Sequence, residues 1–453
     1  MLKKNNLILL LMTTIVFVGG PSIGVQEPLE TVSSVATTSD LFNNQTLWTG
    51  LDTTFNTSID VNNGGNLTIV NSFINFTYEE VGFLLNNNSF LKIVDSTITG
   101  GGVEGIDGET NGTLILENVT FSDFLDDMVK LKGNYQTSID NCTFVDGNSD
   151  GIQLESSDYQ ANVTNSVFKH ISKDGLKGEK MPLYLENLIF EDCGDEAIQL
   201  AKNDYVTAVN IDIDTVGDTG LEAEEMKGLV HVKYFSVTNA VEDCLQVNIG
   251  EDVLAEHVYL SNCGENAFET GDTAVVTLNN VTMKDSDVHG LEAINVDEVH
   301  VTGSHSSGMV KNGFYVENVT SFQLQGSTIK DNTNSGVELV GVNSSTLTHN
   351  KFTGNSLYDV EATEIGTGNS VNASFNYWGT LVASEVSVTG EVMIDPILDA
   401  DLESIQTETS DATSSEATTS GTDTESTAPS FIAATVLISL VLSTQLVSRK
   451  RRK

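Results

Sequence analysis

Apolar residues return at a near-constant interval along this chain. Phe83, Ile106, Val129, Ile152, Leu176, Ile198, Leu221, Leu245, Phe268, Leu291, Phe314, Val337 and Val360 follow one another at steps of 22 to 24 residues. Such a period signals a repeat architecture, in which a unit too small to bury its own apolar side does so against the next copy. The local pattern says what the unit is. Asp150-Gly151-Ile152-Gln153-Leu154 returns as Asp174-Gly175-Leu176, Glu196-Ala197-Ile198-Gln199-Leu200 and Asp243-Cys244-Leu245-Gln246-Val247. It reads as a turn and then a strand of period two. A second alternating run follows in each repeat, as in Leu114–Phe121, Ile139–Phe144 and Leu278–Met283. No repeat holds a helix-length amphipathic run. Pro182 is the one proline within the repeats, as expected of strands whose N–H groups all pair.

These features predict an all-β chain: a right-handed, single-stranded parallel β-helix of about 13 coils of ~23 residues. At the ~4.8 Å strand spacing it would be roughly 60 Å long. The rest of each coil serves as the crossover that parallel pairing needs. Asn71, Asn118, Asn141, Asn165, Asn187 and Asn280 share one phase, with Asp95 standing in once. They predict a ladder of side-chain amides bonded along the axis.

Period, turn pattern and ladder together resemble the right-handed parallel β-helix proteins of the pectin-lyase-like superfamily, over residues 50–400. The segment Phe375-Asn376-Tyr377-Trp378-Gly379, through Asp395-Pro396-Ile397-Leu398, resembles the closing motif of many surface and periplasmic members.

The ends read differently. Lys3 and Lys4 before the apolar run Leu7–Val18 give residues 1–26 the form of a signal peptide. Residues 27–60 are read as an N-terminal cap region and 61–400 as the β-helix domain. Residues 401–430 lose the period and turn Ser/Thr/acidic, as a disordered stalk would. Residues 431–448 read as a C-terminal transmembrane helix and 449–453 as a basic cytoplasmic tail. The expected place is the cell surface, with the N-terminal domain outside.

Between the signal-like segment and the apolar run at 431–448, stalk included, lie all 64 carboxylates but only 14 lysines and no arginine, a formal charge of −50. That excludes nucleic acid as a partner, since no phosphate-binding surface exists. Cys193 and Cys263 share a phase but lie three coils apart, too far to bridge. Cys142 and Cys244 fall at other phases, so four unpaired thiols are expected. Thirteen N-x-S/T sequons mark candidate glycan sites, with Asn44, Asn56, Asn87 and Asn343 clear of the ladder.

The residue after each landmark should face out. That row reads Lys130, Gln153, Lys177, Gln199, Glu222, Gln246, Glu269, Glu292, Tyr315, Glu338 and Glu361. Two residues before the landmark runs a turn row that includes Asp127, Asp150, Asp174 and Glu196. Gln153, Gln199, Glu222, Gln246, Glu269 and Glu292 are the candidate ligand-binding residues for an extended extracellular polysaccharide or cell-envelope glycan. The four turn carboxyls are candidate ligands for Ca²⁺, which takes oxygen donors.

The resemblance sharpens the choice. Lyases of the superfamily that use arginine as base find none in the part read as exterior, and His289-Gly290 lacks the glycine that would precede it in the hydrolase motif. A lysine base beside Ca²⁺ remains, and Lys130 and Lys177 are the candidate catalytic residues. No histidine spacing fits a zinc site. The first reading is a non-enzymatic surface protein with a glycan-binding, adhesive or envelope role. The alternative is a Ca²⁺-dependent polysaccharide lyase or another carbohydrate-active enzyme acting on acidic polysaccharide.

Overall fold

The structure, a computed structural model, describes residues 41–42, 45–77, 82–364, 370–380 and 382–400. The segments read as signal peptide, stalk, transmembrane helix and basic tail lie outside the described residues. Among the described residues no helix is long and apolar enough to cross a membrane.

One coil shows how the repeat folds. Ile152–Glu155 form a strand of the first sheet, Ala161–Thr164 one of the second and Val167–Ile171 one of the third. Each pairs in parallel with its counterpart one coil on: Ile152 faces Leu176, Val163 faces Leu185 and Phe168 faces Phe190. The landmark residues therefore pile into one interior column, every member at most 1% exposed. The column gains Ile59 before Phe83 and Val388 after Val360. It thus runs beyond the thirteen coils the period gave. Pairing already includes Leu41–Phe42, within the segment read as a cap.

The corners explain the polar ladder. Asn71, Asp95, Asn118, Asn141, Asn165 and Asn187 all sit at φ of 49–55°, the left-handed region that Asn and Asp tolerate best. There the chain swings from the second sheet to the third in a single residue. Asn118 Nδ2 donates to Asp95 Oδ1 (2.7 Å), Asn141 Nδ2 to Asn118 Oδ1 (3.2 Å) and Asn187 Nδ2 to Asn165 Oδ1 (2.8 Å). The ladder then changes chemistry: Tyr234 and His257 take the same corner, their rings stacked 5.0 Å apart, and Asn280 donates to His257. The amides of Asn118, Asn141 and Asn280, three of the sequon asparagines, are thus committed along the axis.

Inside, Phe121, Phe144, Phe168 and Phe190 stack in sequence with ring centroids 5.5, 4.9 and 4.6 Å apart. The Asp-Gly turn serves this column. A Cβ at Gly175 would lie 2.5 Å from the Phe190 ring and 2.7 Å from the Ala197 carbonyl, so no larger residue fits. At the far end Trp378 stacks on Phe352 (4.8 Å), and Asn376 Nδ2 donates to the Leu347 and Ala373 carbonyls. Ile397 and Leu398 are buried beside them. The Phe-Asn-Tyr-Trp-Gly segment thus covers the last coils.

The expectation of four free thiols is corrected. Cys244 and Cys263 form a disulfide, with Cα atoms 5.4 Å apart and a sequence separation of 19. Comparing phases between coils misses this pair because it closes within one coil. A 23-residue turn nearly returns to its start after 19 residues, bringing Cys263 against the corner that Cys244 occupies. Cys142 and Cys193 are free and buried, and burial pushes both thiols up to about 12.

Candidate functional site

The strands of the first sheet alternate buried and half-buried residues, so the residue after each landmark faces out. In-register pairing then stacks the outward row: Lys130 on Gln153, Gln153 on Lys177, Lys177 on Gln199 and Gln199 on Glu222. Gln246, Glu269 and Glu292 continue it. Stacked like charges repel unless something neutralises them, and the amides do part of that. Gln199 Nε2 donates to Glu222 Oε2 (3.1 Å) and Gln246 Nε2 to Glu269 Oε1 (3.1 Å). Gln153 Nε2 bonds instead to Glu155 within its own strand (2.8 Å). None of the turns flanking this sheet between residues 101 and 343 exceeds six residues. Among the described residues these short turns leave the row as an open wall.

The turn row is withdrawn from that wall. Asp127, Asp150 and Asp174 are buried and Glu196 is half-buried. Asp127 Oδ1 accepts the Asp150 N–H (3.2 Å), Asp150 Oδ1 the Asp174 N–H (3.3 Å) and Asp174 Oδ1 the Glu196 N–H (3.3 Å). The chain of bonds resumes through Asp243, Asn266, His289 and Asn312, each accepting the N–H of its successor. A side-chain acceptor is needed here because the turn leaves these buried N–H groups without a sheet partner.

The second oxygens of Asp127 and Asp174 face lysines. Lys130 Nζ lies 3.3 Å from Asp127 Oδ2 and 3.3 Å from Glu104 Oε1, and Lys177 Nζ lies 3.5 Å from Asp174 Oδ2. Burial pulls the Lys130 pKa down, but Asp127 and Glu104 more than offset it, and the ammonium is held above its ordinary value. The four turn carboxyls offer a poor cage for Ca²⁺, since one oxygen each of Asp127, Asp150 and Asp174 is bonded to backbone and two of the others face ammonium groups. Among the described residues no group of three or more His, Cys, Asp or Glu side chains could hold a metal ion.

Several carboxyls here are raised toward the neutral range. Burial, then Asp174 and Asp127, pushes Asp150 up to about 7, and burial, then Glu269, pushes Asp243 up to about 8. Glu196 is raised by burial and by Asp174, with which it hydrogen-bonds. For a carboxyl raised on folding, the native state binds more protons than the unfolded one between the two pKa values, so stability falls as pH rises through that window. The melting temperature is therefore expected to drop between pH 5 and pH 8 (bounds set by ordinary carboxylates near ~4 and the raised values). Asp150→Asn and Asp243→Asn, which keep the Oδ1 acceptor, should flatten that slope. A wild-type slope unchanged in both variants would contradict the assignment.

Glu104 and Asp107 extend the two rows one coil earlier, and Asn312 and Ser335 extend the turn row later. Each lies at the phase of its row, so the period alone could have found them. Asn312 Nδ2 donates to Glu338 (2.6 Å) and Ser335 Oγ to Glu361 (2.9 Å).

The family described as "Right handed beta helix region" matches residues 41–168, 127–230 and 224–377. These segments together cover most of the chain, which therefore belongs to that family of right-handed β-helices. No curated protein matches it. Among solved structures it is similar to tailspike protein 3 of bacteriophage CBA120, at 11% identity and a TM-score of 0.35, covering 76% of this chain and 54% of that one. This chain thus spans about half the tailspike's length. It is similar to the A-module of mannuronan C-5 epimerase AlgE4 from Azotobacter vinelandii, at 12% identity and a TM-score of 0.31, covering 71% and 91%. It is also similar to the catalytic domain of a GH87 alpha-1,3-glucanase, at 13% identity and a TM-score of 0.29, covering 83% and 70%.

Proposed function

We propose that this β-helix is a non-enzymatic, surface-anchored protein whose first-sheet wall binds an extended extracellular glycan. The observation that carries the reading is the outward row itself. Amide and carboxylate groups fill most positions of the row in register, from Gln199 through Glu292 without a break, so a long polymer can lie along the axis and meet polar groups at each ~4.8 Å step. The lysines on the same wall are ion-paired. A base must be deprotonated, and Lys130 is held above its ordinary value by Asp127 and Glu104, while Lys177 is paired with Asp174. The apolar run at 431–448 with its basic tail supplies the anchor in this reading, and the first apolar run supplies export.

The second reading is an enzyme on acidic polysaccharide. The Asp174–Glu196 pair favours it, because two neighbouring carboxyls, one raised by burial and by the other, are a standard element of acid–base chemistry. Titration of the full chain with polysaccharides distinguishes the two. Binding is expected to weaken about three- to tenfold in the Gln199→Ala/Gln246→Ala double variant, through two lost hydrogen bonds. Lys130→Ala and Lys177→Ala should retain binding. Product formed by wild type and lost in either lysine variant would replace the first reading with the lyase.

A further inference from the structure

The corner between the first and second sheets carries a feature that the first-sheet wall does not use. Ala161 N–H donates to the Pro182 carbonyl, Leu183 N–H to Tyr205 and Val206 N–H to Leu229 (3.1, 3.1 and 3.0 Å). Gln160, Pro182, Tyr205 and Leu229 therefore stand in one axial column on four successive coils. Tyr205 does not point away from it. Its hydroxyl donates to Gln160 Oε1 (3.0 Å), 45 residues and two coils earlier. To reach that far the ring must lie along the axis across the coil between, where Pro182 is buried. Gln160 is itself held, its Nε2 donating to Asn162 Oδ1 (2.9 Å).

The outer face of the Tyr205 ring stays open: the residue is 44% exposed. Tyr159, the neighbour of Gln160, is likewise 44% exposed. Tyr184 sits half-buried on the outward face of the second sheet two residues past Pro182, its hydroxyl bonded to Glu186. Three tyrosines thus fall on three consecutive coils. The surrounding lysines are each beside a carboxylate: Lys180 by Glu179, Lys202 by Glu225 and Lys227 by Asp204. On a surface of strong negative charge this corner is locally balanced.

We propose that Tyr205, Tyr159 and Tyr184 form a stacking platform for the pyranose rings of an uncharged glycan. A pyranose has one face of polarised C–H groups and a rim of hydroxyls. An aromatic ring fixed flat receives the former through its electron-rich face, at little entropy loss. The Asn162 and Gln160 amides lie at the ring's edge for the latter. Lys180, Lys202 and Lys227 already stand beside carboxylates, so an anionic sugar gains no partner among them, which selects an uncharged one. The proposal rests on the glycan-binding reading above, but places the contact on a different corner of the coil.

The test is calorimetric titration of the full chain with a soluble β-glucan, a mannan and a galactan. Tyr205→Ala and Tyr159→Ala should each weaken binding about three- to tenfold with an unchanged melting temperature. Tyr205→Phe, which keeps the ring and loses its tether, should weaken it about twofold. Full affinity in both alanine variants, with loss confined to Gln199→Ala/Gln246→Ala, overturns the platform and leaves the wall as the binding face. Failure of wild type to bind any of the three polymers overturns the platform and glycan binding together.

Discussion

Phe168→Ala is expected to lower the stability of the solenoid by about 3–5 kcal/mol, the range for a fully buried phenylalanine whose site cannot collapse. Phe168 is 0% exposed and holds a ring on each face, Phe144 at 4.9 Å and Phe190 at 4.6 Å. The coils above and below cannot close the gap, because parallel hydrogen bonds on three sides fix their spacing. Stacking itself contributes about 0.5–1.5 kcal/mol per pair beyond the buried area, and the substitution breaks two pairs. Coupling in a solenoid runs between nearest neighbours, so the loss should appear as an earlier phase in urea unfolding and not only as a shift of the whole transition. Phe73→Ala is the control: Phe73 is 44% exposed and should move the midpoint by under ~0.5 kcal/mol. Equal effects of the two substitutions would contradict the interior aromatic column.

The second large effect belongs to the disulfide. Closing a loop whose ends are separated by 19 positions restricts the unfolded chain by about 3 kcal/mol on the chain-entropy estimate. The Cys244→Ser/Cys263→Ser double variant should lose about that amount, and a reducing agent should bring wild type to the same midpoint. Thiol titration gives an independent reading. In the native state Cys142 and Cys193 are buried with raised pKa values and should not react at neutral pH. Two thiols should react on denaturation and four after reduction. Four reactive thiols before reduction would show that the bridge does not form.

Much of this architecture was legible because one number, the period, carries it. Equal phase predicted that Ile152, Leu176 and Ile198 would stack, that Gln153 and Lys177 would be outward neighbours, and that Asn118 and Asn141 would bond along a corner. All three hold in the structure. What phase alone could not give was geometry inside a single coil. Cys244 and Cys263 meet because a coil closes on itself, which needs the corner positions as well as the period. Burial was misjudged for a related reason. The Asp127, Asp150 and Asp174 row looked like part of an exposed face, yet its carboxyls turn inward to satisfy N–H groups of the next coil. A turn written Asp-Gly does not say which way its carboxyl faces. Tyr205 was invisible for a third reason: its partner Gln160 lies two coils away, beyond any nearest-neighbour pattern.

The claim most open to direct test is that the wall and its corner hold a glycan without altering it. Bound polymer and newly formed reducing or unsaturated ends should be measured in one sample of the full chain, over a panel of neutral and acidic polysaccharides with and without Ca²⁺. The expected result is saturable binding of an uncharged polymer, no new ends and no dependence on Ca²⁺. New ends that accumulate with time and vanish in Lys177→Ala or Lys130→Ala would contradict it.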